Sequence, residues 1–153
     1  MSIPEQISSA RKIRSVCFAA ALSLAGLLPC SSQAADKQER TVLGKWRLTA
    51  ALDASEITSI DEAEARQLVG KTMRVRPESV QFGSRKCPPP DLDAERVEPR
   101  LYLREQAHAS AGKLGLPTPV TVVNLGCTIA FIKGRDHLVI HWDGWFFDAV
   151  RQK

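Results

Sequence analysis

Two histidines and one aspartate near the C-terminus are the side chains best suited to acid–base or metal chemistry. His137 and His141 are four residues apart, which would place two ligands side by side on a helix but about 13 Å apart on a strand, at ~3.3 Å per residue. The surrounding residues predict a strand, so no shared metal ion is expected and no metal ligand is assigned. Asp148 lies diagonally opposite His141 in the predicted hairpin, where it could orient the imidazole as a general base.

No recognisable nucleophile accompanies His141 and Asp148. The chain contains no P-loop, no dinucleotide-binding GxGxxG, no HExxH and no GxSxG motif. A structural polar pair is therefore favoured over a catalytic dyad, and a hydrolase that uses these two residues is the third of three functional hypotheses. The sequence predicts a protein that is not an enzyme and that uses no cofactor.

The four cysteines fall into two groups. Cys17 and Cys30 lie in the N-terminal segment, whereas Cys87 and Cys127 lie in the body of the chain. An even pair in an exported protein predicts a disulfide between Cys87 and Cys127. Because no CxxC spacing is present, a metal site or a nucleophilic cysteine is the weaker alternative.

The N-terminal segment has the pattern of a secretory signal peptide. Three basic residues precede an apolar run at 16–28, and a small-residue site, Ser-Gln-Ala, ends at residue 34. We expect a signal peptide at 1–34 and, after cleavage, a soluble periplasmic or secreted protein formed by one β-rich domain at 35–153. The alternatives are an uncleaved anchor and lipid attachment at Cys30, although lipoprotein cleavage sites have a small residue where this chain has proline.

The charge of the chain is mildly basic. The formal net charge is +4, and residues 1–34, with three basic residues and Glu5, account for +2 of it. The remaining +2 argues against nucleic acid as a partner. Basic residues in the middle of the chain alternate with acids and predict a solvated surface of mixed charge: Arg74, Arg76, Arg85, Lys86, Arg96, Arg100 and Arg104.

The segment 137–151 gives the strongest structural signal. Asp143-Gly144 separates two apolar runs, and this dipeptide favours the two-residue turn of a β-hairpin because the turn requires positive φ. Both faces of the resulting hairpin are apolar, which predicts strands covered on both sides. The turn puts three facing pairs on one face: Trp142 with Trp145, Ile140 with Phe147, and Leu138 with Ala149.

The other elements follow from hydrophobic alternation and capping signals. A first strand is predicted at 41–52, and a helix at 59–70 with a capping box formed by Ser59 and Glu62. A hairpin is predicted from 71–76 and 79–83, and two further strands at 120–126 and 128–133. Between them runs a long excursion, 87–116, with a helix that includes 101–103 and the Ala-rich 106–114 and ends near Gly115.

These elements predict an α+β fold with one or two short helices. About seven strands would form an antiparallel sheet that is strongly bent or partly closed. The short connections among the last four strands favour an antiparallel meander.

Gly44-Lys45-Trp46 at the start of the first strand and Arg151 at the end of the last resemble the calycin pattern of lipocalins and their relatives. In that pattern a tryptophan packs under an arginine of the terminal strand and closes one end of a barrel, and a guanidinium stacks well on an indole. The chain also resembles small exported proteins of Gram-negative bacteria with no established activity. The resemblance implies a carrier of a small apolar ligand, with a cavity lined by Phe82, Trp142, Trp145 and Phe147 unless these aromatic residues simply fill the core.

Binding of another protein is the first functional hypothesis, for example by an inhibitor or immunity protein. The small size, the predicted export and disulfide, and the long excursion at 87–116 favour it over the carrier, which is the second hypothesis. The expected partner is a periplasmic or envelope protein or, for the carrier, a small apolar ligand. No nucleic acid is expected as a partner, and no integral membrane position after cleavage.

Overall fold

A computed structural model describes residues 40–153, and the predicted signal peptide lies outside this part of the chain. The described residues contain two short helices, α1 (Glu62–Leu68) and α2 (Pro99–Gln106). They also contain nine strands: β1 (Gly44–Ala54), β2 (Thr72–Arg76), β3 (Ser79–Phe82), β4 (Arg85–Cys87), β5 (Ala94–Val97), β6 (Val120–Asn124), β7 (Ile129–Gly134), β8 (His137–Trp142) and β9 (Trp145–Gln152).

All nine strands belong to one curled antiparallel sheet in the order β4-β3-β2-β1-β9-β8-β7-β6-β5, which has the shape of a half-barrel. The predicted α+β fold with a strongly bent sheet is confirmed, as is the meander of the last four strands. The predicted number of about seven strands is too small because β4 and β5, with only three and four residues, were not predicted as strands. Strands this short carry too few positions for their alternation to be recognised.

The closing hairpin, β8 and β9, forms as predicted. Asp143 and Gly144 have φ values of 52° and 86°, as a two-residue turn with positive φ at both positions requires. The register pairs Trp142 with Trp145, and it pairs the other predicted partners on the same face in the same way. The hairpin of β2 and β3 is also confirmed: Met73 faces Phe82, and Val75 faces Val80.

The closing hairpin is buried on both faces because it separates two hydrophobic cores. The main core lies inside the curl of the sheet and includes Trp46, Phe147 and Ile140, all without exposed surface. The second core lies on the outer face of β6 to β9, where Phe146 and Val139 pack beneath α2 and the residues that follow it. The prediction of strands covered on both sides is thus confirmed.

A disulfide between Cys87 and Cys127 joins the end of β4 to the turn between β6 and β7, with 5.9 Å between the Cα atoms. The six residues 88–93, three of them prolines, then connect β4 to β5, which are the two edges of the sheet. Near its end this connection is held by the N–H of Leu92, which donates to the carbonyl of Asn124 at 3.1 Å. The curl therefore brings the β4 edge close to the turn between β6 and β7 on the other side of the sheet.

The capping box predicted for the first helix is wrong by two residues. Asp61 accepts from the N–H of Glu64 at 2.8 Å, and the Glu64 carboxylate accepts from the N–H of Asp61 at 3.0 Å. The predicted cap, Ser59, instead donates its N–H to the carbonyl of Asp143 at 3.0 Å. This contact holds residue 59 against the closing hairpin, so the helix begins later.

The second helix lies earlier in the chain than predicted. It begins at Pro99, which suits the first turn because proline has no N–H to satisfy there, and Glu98 caps it by accepting from the N–H of Leu101 at 2.7 Å. It ends at Gln106, and His108 has a φ of 45° that a helix cannot include. Of the Ala-rich 106–114, only Gln106 is helical, and the predicted end near Gly115 is wrong.

Candidate functional site

Residues 55–60, which we call the presented loop, connect β1 to α1 and pass over the turn of the closing hairpin. The N–H of Ser55 donates to the carbonyl of Gly144 at 2.8 Å, and the N–H of Ser59 donates to the carbonyl of Asp143 at 3.0 Å. Both ends of the loop are thus fixed to the sheet by backbone hydrogen bonds.

Ile57 lies at the tip of the presented loop with 83% of its surface exposed. Two further hydrogen bonds fix the backbone on either side of it. The N–H of Glu56 donates to the carbonyl of His108 at 3.1 Å, and the indole N–H of Trp145 donates to the carbonyl of Ile60 at 3.0 Å. The loop therefore holds Ile57 outward in a defined conformation, which reduces the entropy lost on binding.

Gly144 allows the close contact between the presented loop and the hairpin turn. A Cβ atom at this position would lie 2.6 Å from the Cα of Thr58 and 2.8 Å from the carbonyl oxygen of Ile57. Its φ of +86° also favours glycine. Any side chain at this position would push the loop away from the sheet.

The side chain of Ser55 gives the loop a further contact. Its Oγ lies 3.1 Å from Nε2 of His141, and the His141 ring stacks on Phe146 with 4.5 Å between centroids. The carbonyl of His141 accepts from the hydroxyl of Thr128. The second core thus supports the histidine that contacts the start of the presented loop.

A serine hydroxyl beside an imidazole is the first part of a nucleophilic site, but the other parts do not accompany it. Among the described residues no hydrogen bond holds Nδ1 of His141. The N–H groups of Ser55 and Glu56, which could stabilise an oxyanion, already donate to the carbonyls of Gly144 and His108. The geometry therefore fits an anchor for the loop better than a catalytic dyad.

We expect stability to fall in mild acid because burial lowers the pKa of His141 below its ordinary value of 6.5. The unfolded chain binds this proton more readily, so the stabilising contribution is complete above pH ~6.5 and is lost as the pH falls toward the lowered pKa of the folded state. Urea unfolding between pH 8 and 4 measures the effect. His141→Gln should flatten this part of the profile, whereas His137→Gln, at an exposed histidine on the same strand, should leave it unchanged.

The predicted polar pair of His141 and Asp148 does not form. Oδ1 of Asp148 accepts from Nζ of Lys133 at 2.9 Å, and Oδ2 accepts from the hydroxyl of Thr49 at 3.3 Å. His141 contacts Ser55 instead. The two side chains share a sheet face, but lysine is the stronger partner for the carboxylate because it brings a full charge.

A polar cleft of about 830 Å³ opens beside the presented loop. Asp53 and Glu56 line one side of it, and residues 108–112 line another. Arg100 and Arg104 of α2 complete the lining with cationic side chains. A partner that reaches Ile57 would therefore also meet polar and charged groups, as at the rim of a protein interface.

The residues of the calycin-like pattern meet at the opposite end of β1. The guanidinium of Arg151 lies over the ring of Trp46 at 4.3 Å from the centroid, and it donates to the carbonyls of Leu43 and Thr41. A Cβ at Gly44 would lie 2.7 Å from Nη1 of Arg151, and the φ of Gly44 is +132°. The predicted contact between Trp46 and Arg151 is present, while membership of the calycins stays a prediction.

The four aromatic candidates for a ligand pocket belong mainly to the core. Phe147 has no exposed surface, and Phe82 and Trp142 are 4% and 6% exposed, packed edge to face at 5.2 Å. Trp145 is half-buried against the main core. Phe82 and Trp142 nevertheless form part of a second cleft of about 330 Å³, which we call the mouth cleft, together with Ile60, Leu68, Arg85 and other residues.

Much of the long excursion at 87–116 packs against the sheet, unlike an exposed binding loop. Leu103 and Leu114 are fully buried, and with α2 they cover the second core. The excursion thus has a structural role along most of its length. The presented loop carries the most exposed large apolar side chain of the described residues, although none of the sequence motifs includes this side chain. The sequence feature that could have identified this loop is Ile57, an isolated apolar residue among polar residues in the connection between β1 and α1.

No protein-family model, curated protein or solved structure matches this chain. In the part of the chain that the structure describes, no three histidine, cysteine, aspartate or glutamate side chains converge as metal ligands. None of the helices in residues 40–153 is both long and apolar enough to cross a bilayer.

Proposed function

We propose that this chain is a non-catalytic binding protein of the inhibitor or immunity type, which acts in the periplasm or outside the cell. The observation that carries the proposal is Ile57, 83% exposed on a loop whose backbone is fixed on both sides. Rigid loops with a protruding apolar side chain lose little conformational freedom on association. The disulfide between Cys87 and Cys127 suits an oxidising compartment.

The partner should offer an apolar pocket for Ile57 and carboxylates near its edge. The pocket follows from the aliphatic side chain, because binding energy concentrates in side chains that fill desolvated pockets. The carboxylates follow from Arg100 and Arg104 in the neighbouring polar cleft. Arginine is enriched at protein interfaces because its guanidinium can pair with a carboxylate through two hydrogen bonds.

Ile57→Asp should weaken partner binding at least about 30-fold, as expected for a central interface residue, and leave thermal stability unchanged because the side chain is exposed. The test is capture from an envelope extract of the native host, followed by titration of the captured protein against each variant. Leu101→Asp is the matched control, since Leu101 is 45% exposed on α2 and lies outside the loop.

Retention of the partner by Ile57→Asp would contradict the proposed role of the loop. Equal loss with Leu101→Asp would also contradict it, because any added charge would then abolish binding. Native mass spectrometry of the purified protein adds a separate result. A bound small molecule with no protein partner would favour the alternative described next.

The mouth cleft supports a second candidate, a carrier of a small apolar ligand. Ile60, Leu68, Phe82 and Trp142 give it apolar walls, and Arg85 lies at its polar side. Its volume of about 330 Å³ is at the lower end for small-molecule sites. The ligand would be small, and Trp142 fluorescence would report its binding.

A further inference from the structure

The outer face of β1 to β4 carries five basic side chains, which we call the basic face. Lys45 and Arg47 lie on β1, Arg74 and Arg76 on β2, and Lys86 on β4, and all five are exposed. The residues between them, such as Trp46 and Val75, point into the main core. Because successive side chains of a strand point to opposite faces of the sheet, these basic residues all lie on one side of it. This segregation is not visible in the linear sequence, where other residues separate the basic ones.

The register aligns these cations across the sheet. Lys45 lies opposite Arg74, Arg74 opposite Gln81, and Gln81 opposite Lys86. Neighbouring strands are ~4.8 Å apart and alternate residues along a strand ~6.6 Å apart. Like charges in directly opposed positions destabilise a sheet. The repulsion between Lys45 and Arg74 would be reduced if an oppositely charged surface lay against this face.

The basic face has almost no acidic partner within residues 40–153. Arg76 approaches Glu78 at 4.0 Å, and the other four cations form no ion pair with any described residue. The strands β2, β3 and β4 contain no acidic residue. By contrast, Arg85 and Lys133 pair with aspartates at 2.7 and 2.9 Å, whereas the basic face gathers, on one side of β1 to β4, four cations that form no ion pair with the rest of residues 40–153.

We propose that the basic face holds the protein against a membrane surface of anionic phospholipid headgroups. The face presents no aromatic ring on which a nucleic-acid base could stack, and no apolar side chain that would insert into a bilayer. It is convex because the sheet curls around the main core. A convex face meets a rod-shaped duplex along a narrow line, whereas lipid headgroups in a fluid layer can gather around each cation.

Membrane binding would leave the presented loop accessible. Lys45 lies at the start of β1 and Ser55 directly after its end, so ten residues separate them. At ~3.3 Å per residue this corresponds to as much as ~33 Å along the strand. The inference therefore does not rest on the proposed function, and the two surfaces are tested by different variants.

The test is flotation of the full chain with phosphatidylglycerol-containing vesicles and with pure phosphatidylcholine vesicles. Lys45→Gln/Arg74→Gln/Lys86→Gln should lower the partition coefficient about 100-fold on anionic vesicles, from roughly fivefold for each cation. Wild-type binding should also fall with added salt. The control Arg66→Gln/Arg96→Gln/Arg135→Gln removes the same charge from exposed positions elsewhere and should change partitioning less than threefold. All variants share the apolar run at 16–28, so the differences isolate the basic face.

Equal losses in the two triple variants would overturn the proposal, because net charge alone would then explain binding. Wild-type binding to anionic vesicles that does not fall when salt is added would overturn it as well. A short DNA duplex that binds the wild type, without binding to anionic vesicles, would assign the face to nucleic acid instead. Ile57→Asp should float like the wild type, and the basic-face variant should still capture the protein partner.

Discussion

Trp46→Ala lowers the free energy of unfolding by about 3–5 kcal/mol, as expected for truncation of a large buried aromatic residue. Trp46 has no exposed surface, and its indole N–H donates to the carbonyl of Val42 at 2.7 Å. The substitution leaves a cavity in the main core and leaves that carbonyl without its donor. Urea unfolding monitored by circular dichroism measures the loss as a lower midpoint at an unchanged slope.

Two matched variants separate the indole from the arginine above it. Trp46→Phe keeps most of the packing and should lose less stability than Trp46→Ala. Arg151→Met removes the charge over the ring and the hydrogen bond to the carbonyl of Leu43 at 2.7 Å, and should also cost less than the alanine variant. A nearly neutral Trp46→Ala would contradict the buried position and remove the main support for the calycin resemblance.

Cys87→Ser lowers the free energy of unfolding of the oxidised protein by about 4 kcal/mol. Cys87 and Cys127 are 40 residues apart, and the chain-entropy model gives this value for a loop of that length. The loss should disappear when wild type and variant are compared under a reductant, because neither then has the cross-link.

Cys127→Ser is the natural control for this effect. Cys127 is exposed whereas Cys87 is 8% exposed, so the two substitutions remove different amounts of packing but the same cross-link. Equal losses in the oxidised state identify the disulfide as the cause. A loss that persists under reductant for Cys87→Ser would assign the effect to packing in the main core instead.

The closing hairpin was predictable because its information is local. Asp143-Gly144 determines the turn, the turn determines the register, and the apolar residues on both strand faces indicate burial on both sides. The contact of Trp46 with Arg151 followed from a motif and needed no knowledge of the intervening chain. These features require only that neighbouring strands pair.

The helix boundaries that were predicted wrongly lie where contacts with distant parts of the chain outweigh the local conformational preference. Ser59 has the spacing of a helix cap, yet its N–H is taken by Asp143, far along the chain. The alanines at 107–111 favour a helix, but Leu114 is buried in the second core and His108 takes a positive φ. Neither contact can be predicted before the sheet is known.

The candidate surfaces were hidden for a related reason. The basic residues of β1 and β2 alternate with apolar, not acidic, neighbours inside each strand, so their segregation appears only after the strands are aligned. The importance of Ile57 depends on hydrogen bonds that the loop donates to the carbonyls of the hairpin turn and of residue 108. Hydrophobic alternation predicted a β-rich protein, but it could not predict which apolar or charged side chains the folded surface presents together.

The way in which the sheet ends also affects the behaviour of the protein at high concentration. A free sheet edge is a template on which another molecule can add a strand and begin aggregation. Here β4 has three residues and is followed by three prolines, and β5 has four residues with two exposed charges at its centre. The disulfide also fixes the end of β4 to the turn between β6 and β7. We therefore expect resistance to self-association in the oxidised protein, and the first intermolecular strand pairing to occur at β4 once the disulfide is reduced.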